Sequence, residues 1–486
     1  MSSRKEHGPT GRTAGVGWIV VALSTGTALS ALNSGMVAVA LSTLRGEFHV
    51  DVPTVTWVIS AYYLASAALQ PLMGRLADRY GALRVFTIGM VIVAVAGAAG
   101  PFAPTLEWLC AVRVVLAIGT ATAFPSAAAM LRRLARERSA DAADGSAHSG
   151  SFEAAPVIGR IQLIDTSAAA VGPVLGGALL LIAGWEAIFW INIPLAALAV
   201  VATRLVIPRD EPREHVPLRT TLRESDLPGV VLFAVTIVGA LTFLLDVVDG
   251  AEWQLLAIAV LAGALFTWRE LRAAVPFVDL RLLAGNTRLL RVYGLFILAN
   301  LVLYGTLFGI PQYLEDYAGF GTAAVGAMLL PLAAFNAVLA RPIERLITSR
   351  GHRLTLLIGV GGLVVSTAAL LLLTLSTAPW AVLLVMAAIG IPYAFVLISL
   401  TQSLYLAAPP EHVGQAAGLF QTARSLGSIA GATVVGMSLF HGTDPEDWII
   451  LAAVLAASAL IFAVFALSTG RTARTGLGRM PADAAA

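Results

Sequence analysis

Apolar residues in this 486-residue chain fall into long, nearly unbroken runs, not into stripes recurring every three or four positions. Fourteen such segments can be drawn, each close to the ~20 residues that a helix needs to cross a bilayer. They cover approximately 17–44, 54–74, 84–104, 107–131, 156–183, 187–207, 228–248, 253–271, 289–312, 322–343, 354–375, 380–403, 414–438 and 447–468. The pattern predicts an all-α membrane protein of fourteen transmembrane helices, with both chain ends on one side.

Composition agrees. The chain is 58% hydrophobic and 12% charged, with a mean hydropathy of +0.83, whereas a soluble domain carries about a quarter charged residues. The net charge of +2 is uninformative, but the placement of the charges is not. Of the 31 Lys and Arg, Arg45 alone falls on the side opposite the N-terminus, and Arg113, Arg160 and Arg424 fall inside spans. All the others sort to the N-terminal side, which the positive-inside rule identifies as the cytoplasm. The single cysteine, Cys110, excludes a disulfide framework and a thiolate metal site.

The polar tail 1–16 is expected to be cytoplasmic, because the run that follows exceeds a signal-peptide core and lacks a convincing cleavage site. The stretch from Arg133 to Ala155 reads as a flexible loop, Ile207 to Leu227 as a cytoplasmic linker, and 469–486 as a second cytoplasmic tail. GRLADRYG at Gly74–Gly81 reappears, degraded, as ERLITSRG at Glu344–Gly351. That repeat implies two six-helix bundles, 17–207 and 288–468, in parallel relation. A pair of inserted helices and a following loop, 228–287, lies between them, after the linker 208–227.

The most anomalous span is the fifth. Asp165 lies about two turns in, ~9 Å deep at 1.5 Å per residue, and a carboxylate in hydrocarbon is either paired or facing water. Gly172, Pro173, Gly176 and Gly177 follow it, giving a small-residue face and a kink. In the loop after span 2, Gly74, Arg75, Asp78, Arg79, Gly81 and Arg84 offer a tight turn and several alternative ion pairs. Such a cluster can act as a cytoplasmic latch between states, or can be an ordinary basic loop.

These motifs, in this order, resemble the major facilitator superfamily in its fourteen-helix drug:proton antiporter branch, over essentially the whole chain. Gly74, Arg75, Asp78, Arg79, Gly81 and Arg84 match the family's loop motif between helices 2 and 3. Gly172-Pro173-x-x-Gly176-Gly177 matches its exporter motif. Trp185, Ile188, Phe189, Ile191, Asn192 and Pro194 match the segment that follows, Pro276–Leu280 resembles the Pro-x-x-x-Leu typical of fourteen-helix members, and Gly414, Gly418, Arg424 and Gly427 resemble its helix 13. The resemblance implies proton-coupled efflux of amphipathic drugs or antibiotics by alternating access. Two departures bear on coupling. The usual first-helix acid is Asn33, with Ser42 where the family has proline, and the family's Gln near the helix 4 arginine is lost beside Arg113.

The seven histidines lie in tails, loops or span ends, so no deep imidazole can relay protons. Glu107, Asp246 and Glu315 sit near the outer interface, and Asp165 is the one acid well inside a span. The candidates for proton coupling or cavity charge are Asp165 and Arg424, from their position inside spans, and Arg113 and Asn33, at the positions that the resemblance implies in coupling, against the plainer reading of static salt bridges. Arg113 and Asp165 differ in depth by about 10–15 Å, which disfavours a direct pair; Asn33 matches Arg113 better, and Arg424 could reach a central cavity. Arg160 is expected to extend to the interface. Tyr62, Gln70, Asn300, Tyr304, Asn336 and Gln421 are candidates for lining a cavity or for interhelical hydrogen bonds. No phosphate loop, metal cluster or nucleophile–base pair suggests an enzyme, a metal or a cofactor. The expected partners are a small-molecule substrate, protons and the lipid bilayer, with no nucleic acid, in a monomer at the cell membrane. An uncoupled facilitator or importer of the same fold, and a non-transporting receptor or scaffold, are the alternatives.

Overall fold

A backbone in hydrocarbon must satisfy its own hydrogen bonds, which for apolar runs of this length means helix. The computed structural model describes residues 16–143, 154–210, 226–250, 252–273, 276, 278, 280–408, 413–439 and 442–468, and no strand occurs among them. The helices are α1 (Val16–Phe48), α2 (Val52–Tyr80), α3 (Ala82–Ala99), α4 (Leu106–Thr120), α5 (Ala123–Ala143), α6 (Ala154–Ala183), α7 (Ala187–Trp190), α8 (Asn192–Val206), α9 (Leu227–Gly250) and α10 (Trp253–Glu270). They continue with α11 (Leu280–Gly285), α12 (Thr287–Asp316), α13 (Thr322–Met328), α14 (Leu330–Arg350), α15 (His352–Ala368), α16 (Pro379–Ala407), α17 (Val413–Ser438) and α18 (Pro445–Ser468).

Among the described residues, ten helical stretches are long and apolar enough to cross a membrane. The remaining predicted spans, on α6, α10, α13 with α14, and α17, are helical too. The predicted tenth span breaks at Leu329, just before Pro331, which has no N–H to continue the ladder. The fourth breaks after Thr120. The loop expected from Arg133 is corrected in its first part: α5 runs on to Ala143, with Arg133 Nε donating to Glu137 Oε1 at 2.6 Å, one turn along. The tails and most of the linker, residues 1–15, 211–225 and 469–486, lie outside the described residues.

The repeated loop motif has a backbone reason. Gly81 closes α2 with φ +104°, its N–H on the Ala77 carbonyl at 3.2 Å. Gly351 closes α14 with φ +84°, its N–H on the Ile347 carbonyl at 2.8 Å. Both reverse the chain into the next helix through a conformation that L side chains avoid.

Helices pack both within and between the two predicted bundles. Within the first part α1 lies along α6 and α8, and α2 and α3 pack on α4; within the second, α12 packs on α17 and α15 on α16. The parts meet where α2 runs along α17, α6 along α13 and α14, and α1 against α12. Helices α9 and α10 pair with each other, and α9 also touches α2 and α17.

Candidate transport site

The junction between the two parts holds a buried ion pair. Asp165 on α6 is 2% exposed and Arg424 on α17 is 8% exposed, and an Arg424 Nη1 donates to Asp165 Oδ2. The other edge of the guanidinium, Nε and Nη2, donates to the Tyr304 hydroxyl of α12 at 3.2 and 3.1 Å. A buried charge pair tolerates desolvation only when its remaining donors are also used. Here the fork geometry of arginine serves an acid on one half and a phenol on the other.

From Tyr304 a line of rings leads to the second buried arginine. Tyr304 and Tyr63 meet edge to face at 5.4 Å, Tyr63 and Tyr62 at 5.5 Å. The Arg113 guanidinium lies 4.3 Å over the Tyr62 ring, a cation–π contact. Tyr62 is anchored by hydroxyl contacts of 2.9 Å to both Ser30 and Thr120. Arg113 is fully buried, and its Nε donates to the Val58 carbonyl at 3.2 Å. It is not joined to Asp165. Asn33 is buried too, but its amide is used on the Leu29 carbonyl at 2.9 Å and on Asn192 Oδ1 of α8 at 2.6 Å.

Other candidates are distributed around this line. Asn300 is buried, donates to the Phe296 carbonyl at 2.7 Å and accepts from the Tyr393 hydroxyl at 3.3 Å. Phe296 stacks on Phe420 of α17 at 3.7 Å between ring centres. Gln421 is buried on α17, and Gln70 is half-buried on α2. The side chain of Asn336 lies outside the described residues. Arg160 is exposed.

The small residues of α6 permit two close approaches. A Cβ on Gly172 would stand 2.7 Å from the Gly35 Cα, and one on Gly176 2.7 Å from the Met36 Cα, both on α1. Gly177 faces the other part, where a Cβ would stand 2.9 Å from the Ala323 Cα of α13, and the Pro173 carbonyl lies against Gly326. The same end of the molecule carries further ties. Ser42 Oγ donates to Glu315 Oε2, which also accepts from Thr322 at 3.4 Å, and Arg45 pairs with Asp316 at 2.7 Å.

At the opposite end lies the loop motif. Asp78 pairs with Arg132 of α5 at 3.4 Å. Arg75 donates to the Pro276 carbonyl at 2.6 Å, in the segment after the inserted pair. There Arg269 bonds Asp226 at 2.5 Å and the Val278 N–H donates to Glu270 at 2.8 Å. Burial pulls the Arg75 guanidinium below its usual range, while Asp226 and Glu270 act in the opposite direction. Asp210 accepts the Leu83 and Arg84 N–H groups at 3.3 and 2.9 Å, capping α3. A side chain at Gly81 would collide with that carboxylate. Gly74 lies where α2 passes Pro125, 3.6 Å from the place of its missing Cβ.

Sequence reasoning overlooked Tyr63, Ser30 and Thr120. Tyr63 is one residue from Tyr62 and would be assigned to another helix face, yet a T-shaped pair lets both rings serve one line. Glu315 was assigned only to the interface, because its partner Ser42 is far away in sequence.

Two packed helical parts with buried charges at their junction and a glycine-lined contact define a membrane transporter. The sequence matches the family model of the Major Facilitator Superfamily over residues 23–432, and the chain belongs to that family. It is 32% identical over 421 residues to the uncharacterized MFS-type transporter YwoD of Bacillus subtilis (strain 168), covering 86% of this chain and 89% of that protein. It is 30% identical over 468 residues to the tetracenomycin C resistance and export protein of Streptomyces glaucescens, covering 91% and 80%. In fold it is similar to a partially occluded inward-open structure of the xylose transporter XylE from E. coli, with a TM-score of 0.63 at 12% identity over 94% of this chain and 98% of that one.

Proposed function

We propose that this chain is a fourteen-helix exporter of amphipathic small molecules, working by alternating access and driven by the proton gradient. In this reading the bundles 17–207 and 288–468 rock about the membrane midplane as a monomer of the cell membrane, with both termini cytoplasmic. The inserted pair 228–287 sits at their flank. The observation that carries the reading is the Asp165–Arg424 pair, because it is buried and joins the two parts. A proton on Asp165 cancels the charge that holds Arg424, so protonation changes the relative stability of states in which the halves are joined or parted. The export direction is supported by the resistance and export function named for the tetracenomycin relative.

An uncoupled facilitator of the same fold is favoured by one observation. Asn33 cannot titrate, and its amide is already bonded to Asn192. Reconstitution in vesicles with an internal pH dye separates the two readings. A coupled exporter moves protons when substrate is added, whereas transport with no proton movement would establish the facilitator.

A further inference from the structure

Arg113 is the buried charge that the mechanism above leaves unused. It is 0% exposed, its Nε reaches only a backbone carbonyl, and its Nη1 and Nη2 have no hydrogen-bond partner among the described residues. Nor does a carboxylate lie within ion-pair distance of it there; besides the Val58 carbonyl, the Tyr62 ring face supports its charge. A guanidinium has five donors, and a buried charged group with two nitrogens unserved is costly unless something else fills the site.

The surroundings indicate what fills it. Inside the two six-helix parts the buried charged side chains among the described residues are Arg113, Arg424 and Asp165, so positive charge exceeds negative. Asp165 is already engaged by Arg424. With Asp165 and Arg424 engaged on each other, the guanidinium left without a counter-ion here among the described residues is that of Arg113, which repels a cation and attracts an anion. Leading away from Arg113 are the rings of Tyr62, Tyr63 and Tyr304, and the Tyr63–Tyr304 contact lies on the boundary between α2 and α12, which belong to different halves. When the halves part, that edge-to-face contact opens and leaves aromatic surface for a planar ring.

We infer that Arg113 receives the acidic group of the substrate and that the exported compounds are planar aromatic acids, carboxylates or phenolates, not lipophilic cations. The inference rests on the exporter reading for the word exported, but binding at Arg113 stands or falls independently of it.

Three probes test it on the purified full-length protein: 1-hydroxy-2-naphthoate, neutral 2-naphthol and tetraphenylphosphonium, measured by equilibrium binding and by efflux from vesicles. The naphthoate is expected to bind wild type about tenfold or more tightly than 2-naphthol, the value of a charge-assisted bond. Arg113→Gln is expected to lose that preference and Arg113→Lys to retain part of it. Equal binding of naphthoate and naphthol by wild type, tighter binding of tetraphenylphosphonium, or an unchanged preference in Arg113→Gln would each overturn the inference. Displacement of naphthoate by millimolar chloride would reduce the site to a halide site and overturn the aromatic assignment. The wild-type comparison keeps the test decisive if Arg113→Gln does not fold. Selective binding without efflux would instead defeat the exporter reading and leave the site standing.

Discussion

Asp165 and Arg424, 259 residues apart in sequence, share a buried ion pair that ties α6 of one half to α17 of the other. Tyr304 holds the far edge of the same guanidinium at 3.1–3.2 Å, so neither charge is left to the hydrocarbon. Any movement that separates the halves at this level must rehydrate or neutralise both groups.

Asp165→Asn is accordingly expected to abolish proton-coupled efflux while the protein still inserts. Unchanged pH-dependent efflux by the variant in vesicles would remove Asp165 from the mechanism. The single variants Asp165→Asn and Arg424→Gln should each destabilise the detergent-solubilised protein by about 3–5 kcal/mol, the cost of stranding one partner of a buried pair. The double variant should lose less than the sum, and additive losses in thermal unfolding would argue that the two charges do not interact.

Asp78→Asn should slow turnover with little change in thermal stability. Its bridge to Arg132 is largely solvent-exposed, and exposed pairs contribute about 0–1 kcal/mol. Wild-type transport rates in this variant would count against a latch.

The glycines of α6 should be intolerant of even a methyl group. At Gly172 and Gly176 the added carbon would meet backbone of α1 at 2.7 Å, which no rotamer can relieve. Gly176→Ala is expected to cost about 1–3 kcal/mol. Gly361→Ala serves as the control, since nothing lies within 4 Å of its missing Cβ in α15, and it should be neutral or slightly stabilising. Equal melting temperatures for the two variants would refute the close-packing account.

Removing the ties between α1 and α12 should favour the conformer in which this end is open. With Cys110→Ser as background, a cysteine introduced at Ala323, packed against Gly177, reports the opening. Ser42→Ala combined with Arg45→Gln should raise its maleimide labelling by about fivefold or more, since each lost tie contributes roughly 1 kcal/mol. Unchanged labelling would show that the glycine contact alone keeps this end shut.

Much of the architecture is legible in the sequence because the bilayer imposes it. Helix positions follow from run length, and the paired Gly81 and Gly351 turns follow from a repeated motif that demands positive φ. That Asp165 and Arg113 do not pair also follows from counting residues. The partner of Asp165 does not. Choosing Arg424 requires the rotation of α17 against α6, which is set by many weak contacts and by no local pattern. Asn33 illustrates the same limit: matched depth pointed to Arg113, but the helix rotation gave its amide to Asn192. The extension of α5 through Arg133 was missed because Ser, Ala, Gly and Asp read as loop when the i,i+4 pair with Glu137 is not weighed.

The ties joining Ser42 to Glu315 and Arg45 to Asp316 have a pharmacological consequence. In the topology proposed above, they close the face turned to the outside. An inhibitor that cannot cross the membrane would find its site only on molecules caught partway through a cycle. Such block should deepen with use, so an idle transporter would resist a drug that a working one admits.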